Sequence, residues 1–498
     1  MSNQKVNNIF ILMLENHSFD NMLGFSGIQG IQGLNGTESN SYAHNPPYLV
    51  NKPAPDQMVA DPGHEFKDTL QQLCGMNAEY EPYGEYPPID NSGFVFNFAT
   101  SNSEDQGSAP HPNADHYGDV MKCFDTQSQL PVMYQLATEF AVCDNWFSSM
   151  PGPTWPNRFF AYAATSGSLD DSPSKMEIAS WEGPDGGMEF QNGSILDLLK
   201  RTGHSFRLYQ DNLGHLSFPI VLGLKGVHYS DMNDLSNLAD DLKNGYTYPL
   251  TIIEPNYGNF GNNTYKGGSS QHPMDGVQAG ETLIKKVYEA IRNSPVWETS
   301  LLIITYDEHG GFYDSVAPPP APRPDKVNGG PYNTNGFNFT QYGVRVPAIV
   351  VSPYIPKNTV CPTLFDHTSM LKTVEENLQL PSLTLRDAAA NSLLPILSSD
   401  VARTDCPVSL NEPAPAAMAM AMAVPLPEAE RATSNLTLLP EKGNVHGFLA
   451  IANKVDHELS DGTMAPRSLL LAQVHTNITT VGQANDYFKA VLAKIQAQ

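Results

Sequence analysis

Two uninterrupted apolar runs, far apart in the chain, end the same way. Ile9-Phe10-Ile11-Leu12-Met13-Leu14 stops at Glu15-Asn16, and Leu301-Leu302-Ile303-Ile304-Thr305-Tyr306 stops at Asp307-Glu308. A short apolar run without alternation reads as a strand buried on both faces, as in a parallel sheet covered by helices. Ala141-Val142-Cys143 before Asp144, Ser205 to Tyr209, Leu250-Thr251-Ile252-Ile253 before Glu254, and Val344 to Val351 before Ser352-Pro353 read as further strands. Between them the apolar spacing turns helical. It predicts a short helix opening at His17-Ser18-Phe19-Asp20 and helices over residues 129–140, 159–164 and 194–199. Leu283, Ile284, Val287, Tyr288 and Ile291 keep one face of a long helix starting near Asp275, and Asp366 opens a helix running to Leu378. Strand, helix and strand over 250–306 predict a right-handed crossover. The fold expected is α/β, with a mostly parallel central sheet flanked by helices.

The same pattern divides the chain. Residues 1–405 read as one α/β domain. Residues 26–115 within it are rich in Gly, Asn, Pro and Ser and read as a loop-rich insertion, since loops of that length are functional or inserted. Residues 406–430 carry the Pro-Ala-Pro-Ala-Ala-Met-Ala-Met-Ala-Met-Ala-Val-Pro-Leu-Pro stretch and read as a linker, or as an apolar clasp lying on the surface. Residues 431–498 read as a helical C-terminal appendage, with helices over 444–459 and 485–495.

Charge removes whole classes of partner. The formal net charge of −25 argues against nucleic acid, which calls for a basic face. It disfavours docking on anionic membranes but leaves individual lipids and zwitterionic headgroups open, with at most transient membrane contact. No apolar run is long enough to span a bilayer. The five cysteines, Cys74, Cys123, Cys143, Cys361 and Cys406, are too scattered for a disulfide framework or a zinc cluster; they read as mostly free thiols, one disulfide remaining open. A single Lys5 before a six-residue apolar run is no secretory leader. The default address is the cytoplasm, with leaderless export or a mature secreted form as alternatives. Homo-oligomerisation stays open.

In a parallel sheet, ligands gather beyond the carboxyl ends of the strands. Glu15, Asn16, Asp307 and Glu308 would meet there as an all-oxygen set suited to a hard divalent cation such as Mg, Ca or Mn. The plainer alternative is a helix-capping Glu15 and a solvated Asp307-Glu308 turn. Thr154 precedes a helix and is followed by Pro156. It reads either as a capping residue or as a hydroxyl at a helix N-terminus, where phosphate is attracted and a metal favours the alkoxide. His272, His309 and His367 stand where loops leave strands or enter helices, and His64 lies in Asp61-Pro62-Gly63-His64. Each alone reads more readily as a surface or capped residue than as a proton donor.

The motifs carrying these residues resemble, in order, those of a bacterial and plant phosphoesterase family. That family holds the non-specific and phosphatidylcholine-preferring phospholipases C and the respiratory-burst-inhibiting acid phosphatase. Glu15-Asn16-His17-Ser18-Phe19-Asp20 resembles its opening signature. Asp61-Pro62-Gly63-His64 is similar to its Asp-Pro-x-His element, and Pro153-Thr154-Trp155-Pro156-Asn157-Arg158 to its nucleophile loop. His272-Pro273 with Asp275, Gly280 and Glu281, then Asp307-Glu308-His309-Gly310-Gly311-Phe312-Tyr313-Asp314, then Asp366-His367-Thr368-Ser369 complete the series.

The resemblance spans residues 9 to about 380 and implies an alkaline-phosphatase-like core. It implies Thr154 as nucleophile, with Asn157 in the same loop, and Glu15, Asn16, Asp307 and Glu308 around one or more divalent metal ions. It implies His64, His272 and His367 around the phosphate. Glu254, Asp275 and His309 are further pocket candidates. The expected activity is metal-assisted phosphoric ester hydrolysis through a phosphothreonine, most of all phospholipase C-type cleavage of a phospholipid. An acid phosphatase acting on soluble phosphomonoesters is the alternative, and a non-catalytic phosphate-binding protein the second. Many bacterial phospholipase relatives carry a secretion leader and two C-terminal β-rich domains, and neither is visible here.

Overall fold

The computed structural model describes residues 5–101, 112–179, 181, 186–260, 265–325, 329–415, 435–460 and 478–497. Its centre is an eight-stranded sheet. The strands are β1 (Asn8–Leu14), β2 (Ala141–Cys143), β3 (Phe206–Gln210), β4 (Met232–Asp234), β5 (Leu250–Glu254), β6 (Ser300–Tyr306), β7 (Ala348–Val351) and β8 (Thr359–Cys361). They stand in the order β8-β2-β7-β6-β1-β5-β3-β4. β7 is antiparallel to both its neighbours, and every other pairing is parallel. The two most apolar runs become the central strands. All residues of β1 and β6 are buried, because helices cover both faces.

The strand expected over 344–351 is shorter than its apolar run. Pro347 offers no N–H to a ladder, and Arg345 turns away into a buried ion-pair network, so regular pairing begins at Ala348. The long helix begins at Gln278 rather than near Asp275. The Asp275 carboxylate instead accepts from the N–H groups of Gly268 and Gly276, holding a turn.

The stretch expected to be loop-rich contains more order than its composition shows. Phe66–Cys74 and Phe94–Thr100 are helices, and Ser39–Asn40 pairs with Tyr48–Leu49 in a short ribbon. Val50, Met58, Leu73, Phe94, Val95 and Phe98 build an apolar cluster with Phe312 and Tyr313, just beyond the second acidic pair. The segment is thereby clamped onto the sheet edge where the two acidic clusters emerge.

The two helices expected near the C-terminus form at Asn444–Leu459 and Val481–Gln496. Val445, Phe448, Leu449, Ile451, Phe488 and Val491 join the same apolar cluster as the central strands. The Lys454 ammonium donates to the carbonyls of Leu222 and Leu224. The Ala- and Met-rich stretch expected to be a linker, from residue 416 on, lies outside the described residues. The five cysteines are free. Among the described residues no helix is long and apolar enough to cross a membrane.

Candidate active site

The register of the central strands sets the site. Leu14 lies opposite Tyr306, so Glu15 and Asp307 leave adjacent parallel strands side by side. The chain then turns sharply at both exits. Asn16 holds a left-handed conformation at φ 61°, a strained choice for a non-glycine residue that marks functional loops. Gly310 holds φ 63°, and a Cβ there would stand 2.0 Å from the Asn16 carbonyl oxygen. Only glycine permits this approach. The Asn16 N–H donates to Asp307 Oδ1 at 3.2 Å, and so does the Glu308 N–H at 2.8 Å.

Thr154 arrives from the opposite side as the first residue of the helix Thr154–Ala163, which is buried along its whole length. Pro153 occupies the N-cap position, so the threonine hydroxyl is not used as a cap. It donates to Asn16 Oδ1 at 3.4 Å. Asn157 ties the turn before it. Its amide donates to the carbonyls of Met150, Gly152 and Pro153, while its Oδ1 accepts from the Met150 N–H. These bonds all go to backbone, so its part is to fix the loop that presents Thr154.

Four histidines come to this edge, each held differently. His272 Nδ1 accepts from the Met274 N–H at 3.3 Å, which places the ring proton on Nε2. Nε2 has no hydrogen-bond partner among the described residues, and Asp61 Oδ2 lies 4.0 Å away. Burial, with the nearby His64 and His17, holds the His272 pKa well below the usual histidine range. His64 anchors Nδ1 on the Pro62 carbonyl at 2.9 Å. His309 bridges Gln72 Oε1 at 2.7 Å and Glu308 Oε2 at 3.2 Å. His367 has both ring nitrogens engaged: Nε2 with the Asp307 carbonyl at 2.6 Å, Nδ1 with the Trp146 indole N–H at 3.4 Å. Its geometry positions Asp307. Burial lowers its pKa to about 4, so it is neutral.

Glu15, Asn16, Asp307 and Glu308 are each at most 1% exposed. Burial, then the charge of Asp307, pushes the Glu15 carboxyl up to about 8. Burial likewise raises Asp307 to about 6, despite the Arg158 guanidinium beside it. For Glu308, burial is outweighed by His64 and His309, and its pKa falls below the ordinary value. Glu15 Oε2 and Glu308 Oε1 have no hydrogen-bond partner among the described residues, and neither does the Asn16 amide nitrogen. Buried carboxylate oxygens left without donors are costly. This donor set fits a hard divalent cation, which would satisfy those oxygens and relieve their repulsion. Among the described residues no three His, Cys, Asp or Glu side chains form a metal cage by themselves. As placed, Asp307 Oδ2 is turned toward Arg158.

Two further pocket candidates lie off this centre. Glu254 accepts from the hydroxyls of Tyr162 and Tyr257, each at 2.8 Å, and from the N–H groups of Ile220 and Val221. It supports the site from behind. Asp275 makes the turn described above. Arg158, in the same helix as Thr154, also belongs to this centre. Its Nε donates to Asp307 Oδ2 at 2.9 Å, and its Nη2 to the carbonyls of Met13 and Leu14. A lone charge in an otherwise apolar helical stretch calls for a buried partner. The Ser270 side chain hydrogen-bonds Glu15, with no signal for it in the residues around it.

A profile of the phosphoesterase family matches residues 6–381. Non-specific phospholipase C6 of Arabidopsis thaliana is 36% identical over 429 residues, covering 82% of this chain and 75% of the relative. Phospholipase C B of Mycobacterium tuberculosis is 27% identical over 434 residues, covering 78% and 77%. Among solved structures, a protein in the alkaline phosphatase superfamily from Vibrio parahaemolyticus aligns at a TM-score of 0.29 and 13% identity, covering 54% of this chain and 63% of that one.

Proposed function

The chain belongs to the phosphoesterase family and is a phosphoric ester hydrolase, and on that premise we propose a phospholipase C-type enzyme working through a phosphothreonine at Thr154. The observation that carries this reading is the buried Thr154 hydroxyl. It lies 3.4 Å from Asn16 Oδ1, at a helix N-terminus, and Asn16 follows Glu15, whose Oε2 has no donor among the described residues. The substrate favoured is a phospholipid cut on the glycerol side of its phosphate. The names of the relatives support that choice, as does a net charge that leaves zwitterionic headgroups accessible.

Glu15, Asn16, Asp307 and Glu308 would hold one divalent cation, which supplies positive charge favouring the threonine alkoxide and the transferring phosphoryl oxygens. The rest is done by the chain itself. Arg158, His367 and the Asn16 N–H fix Asp307, and Asn157 fixes the turn before Thr154. The dipole of the helix Thr154–Ala163 meets the phosphoryl group at its N-terminal end. Thr154 Oγ1 gives up its proton to a water molecule and attacks phosphorus, and the bond to the glycerol oxygen breaks. His272 Nε2 delivers a proton to that oxygen. Burial keeps the ring neutral in the free protein; the arriving phosphoryl anion opposite Nε2 favours uptake of a second proton at Nδ1 in place of the 3.3 Å Met274 contact, so that Nε2 can give up its proton and a neutral ring remains. The neutral ring left behind accepts a proton from the water that hydrolyses phosphothreonine.

Rapid quench with a phosphorus-labelled phosphorylcholine diester tests the intermediate. Label should appear on Thr154 in the native protein and be absent from Thr154→Ala. Turnover by that variant at the native rate would remove the covalent route. Comparing phosphorylcholine diester with phosphomonoester hydrolysis, with and without chelator, separates a phospholipase C from an acid phosphatase and tests the cation. Hydrolysis of neither ester with divalent ion supplied would favour a binding protein.

A further inference from the structure

The helix Asn444–Leu459 is packed against the structures that hold the site. Gly447 meets the indole of Trp155, the residue after Thr154, so closely that a Cβ would fall 2.0 Å from the ring. Phe448 packs edge-on to Trp155 with centroids 5.8 Å apart and lies 5.7 Å from Tyr257, whose ring carries the Arg158 guanidinium at 5.2 Å. At the first turn of the helix, the Asn444 amide donates to the Tyr265 hydroxyl at 3.2 Å. Tyr265 lies face to face on His272, with centroids 3.4 Å apart and planes 8° from parallel. Its backbone is left-handed at φ 50°, and Gln271, just before His272, is left-handed at φ 68°. Strained backbone of this kind persists only where its surroundings enforce it.

We propose that Asn444, from the C-terminal helix, is a positioning residue for the reaction: by holding the Tyr265 hydroxyl it fixes the aromatic platform that aims His272 Nε2 at the leaving-group oxygen. The inference rests on the reading of His272 as proton donor. The physical reason is directional. The Met274 N–H holds the His272 ring at one atom only, Nδ1, leaving the ring able to tilt about that contact. A stacked ring removes the tilt, and the platform is itself fixed only if its far end is tied. Asn444 supplies that tie from outside the loop that carries both rings. A proton donor must sit within hydrogen-bond reach of its oxygen, so a small tilt matters.

The test compares two esters of phosphorylcholine, one with a 4-nitrophenyl and one with an alkyl leaving group, in the full-length protein with divalent ion supplied. A nitrophenolate leaves without a proton, and an alkoxide requires one. His272→Ala should lose activity on the alkyl ester far more than on the nitrophenyl ester. Asn444→Ala and Tyr265→Leu should show the same split in kcat at smaller size, about tenfold on the alkyl ester and under about threefold on the nitrophenyl ester, with KM unchanged. Tyr265→Phe keeps the stacked ring and the packing, so it should fold even if the others do not; it should shift in the same direction. If His272→Ala loses both substrates equally, the reading of His272 as donor fails. If His272→Ala splits the two esters while the Asn444 and Tyr265 variants lose both equally, or lose neither, the role of Asn444 is overturned alone.

Discussion

Two buried acidic clusters grow from the same pair of motifs, and the chain treats them in opposite ways. Each motif opens at the sheet edge and closes a few residues later on an aspartate: Glu15 with Asp20, and Asp307 with Asp314. At the closing ends, Arg345 stands between the two carboxylates. Its Nη2 donates to Asp20 at 2.9 Å and its Nε to Asp314 at 3.1 Å, while Nη1 reaches the carbonyls of Gln32 and Asp144. Ser315 gives Asp20 two more donors, and the Asp20 and Val316 N–H groups complete Asp314. At the opening ends, Glu15 and Glu308 keep an oxygen each without a donor among the described residues. One cluster is saturated and staples the two motifs together. The other is left hungry for positive charge at the point where a hydroxyl waits. Equal burial of carboxylates thus gives architecture in one place and, on the proposed function, chemistry in the other, and the difference lies in the count of donors.

The sharpest way to test this contrast is to remove the hydroxyl. Thr154→Ala should lower kcat about ten-thousandfold, roughly 5 kcal/mol, while the thermal midpoint stays near that of the native protein. A midpoint that collapses with the activity would place Thr154 among the structural residues. Next comes Arg345→Met, which leaves two buried carboxylates uncompensated and should cost about 3–5 kcal/mol of stability by urea unfolding. Glu15→Gln should leave stability unchanged or raise it in chelated protein above about pH 8, since it removes a charge from a carboxylate whose Oε2 has no donor among the described residues. If the two substitutions destabilise alike, the distinction between the clusters fails.

Cation binding should follow in size. At a divalent ion concentration a hundredfold above its dissociation constant, the protein should gain about 2.7 kcal/mol, read as a rise in melting temperature. The gain should depend on pH in a defined sense. The Glu15 carboxyl titrates at 4.5 when unperturbed and at about 8 in the fold. Between those values the folded chain keeps a proton that the unfolded chain has released. The contribution to stability is therefore full below about pH 4.5 and is lost as pH rises through about 8. A cation replaces that proton, so its stabilisation should grow from pH 5 to pH 8, and Glu15→Gln should flatten both trends. A cation response equal at the two pH values would separate Glu15 from the binding site. The smallest effect belongs to Ser315→Ala, about 1.5 kcal/mol of stability with cation affinity unchanged, since Asp20 keeps its other donors. A shift in cation affinity in that variant, read by titration calorimetry, would mean the two clusters act as one electrostatic unit.

Much of this was legible in the chain. The central strands were plain because a strand buried on both faces has no polar positions to blur its run. The sheet edge then follows, and with it the convergence of Glu15 with Asp307. Other features were hidden. The helix Phe66–Cys74 lay unseen in a Gly- and Pro-rich stretch because it is short and its start is fixed by a capping box, Glu65 with Asp68, instead of by a long period. The Arg345 network was invisible because its partners lie far apart in sequence and the strand around it reads as uninterrupted.

By itself the amino-acid order determined which segments are strands, where they end in oxygen-bearing side chains, and that the whole is an acidic α/β phosphoesterase. The strands and their ends are local properties, set by side-chain periodicity and by what each residue type tolerates in a buried strand; the family is what the ordered motifs resemble. Only the tertiary structure decided which carboxylates are paired and which are left open, that His367 holds Asp307, and that a C-terminal helix stands behind His272. A buried charge is defined by the donors around it, and those donors come from every part of the chain at once.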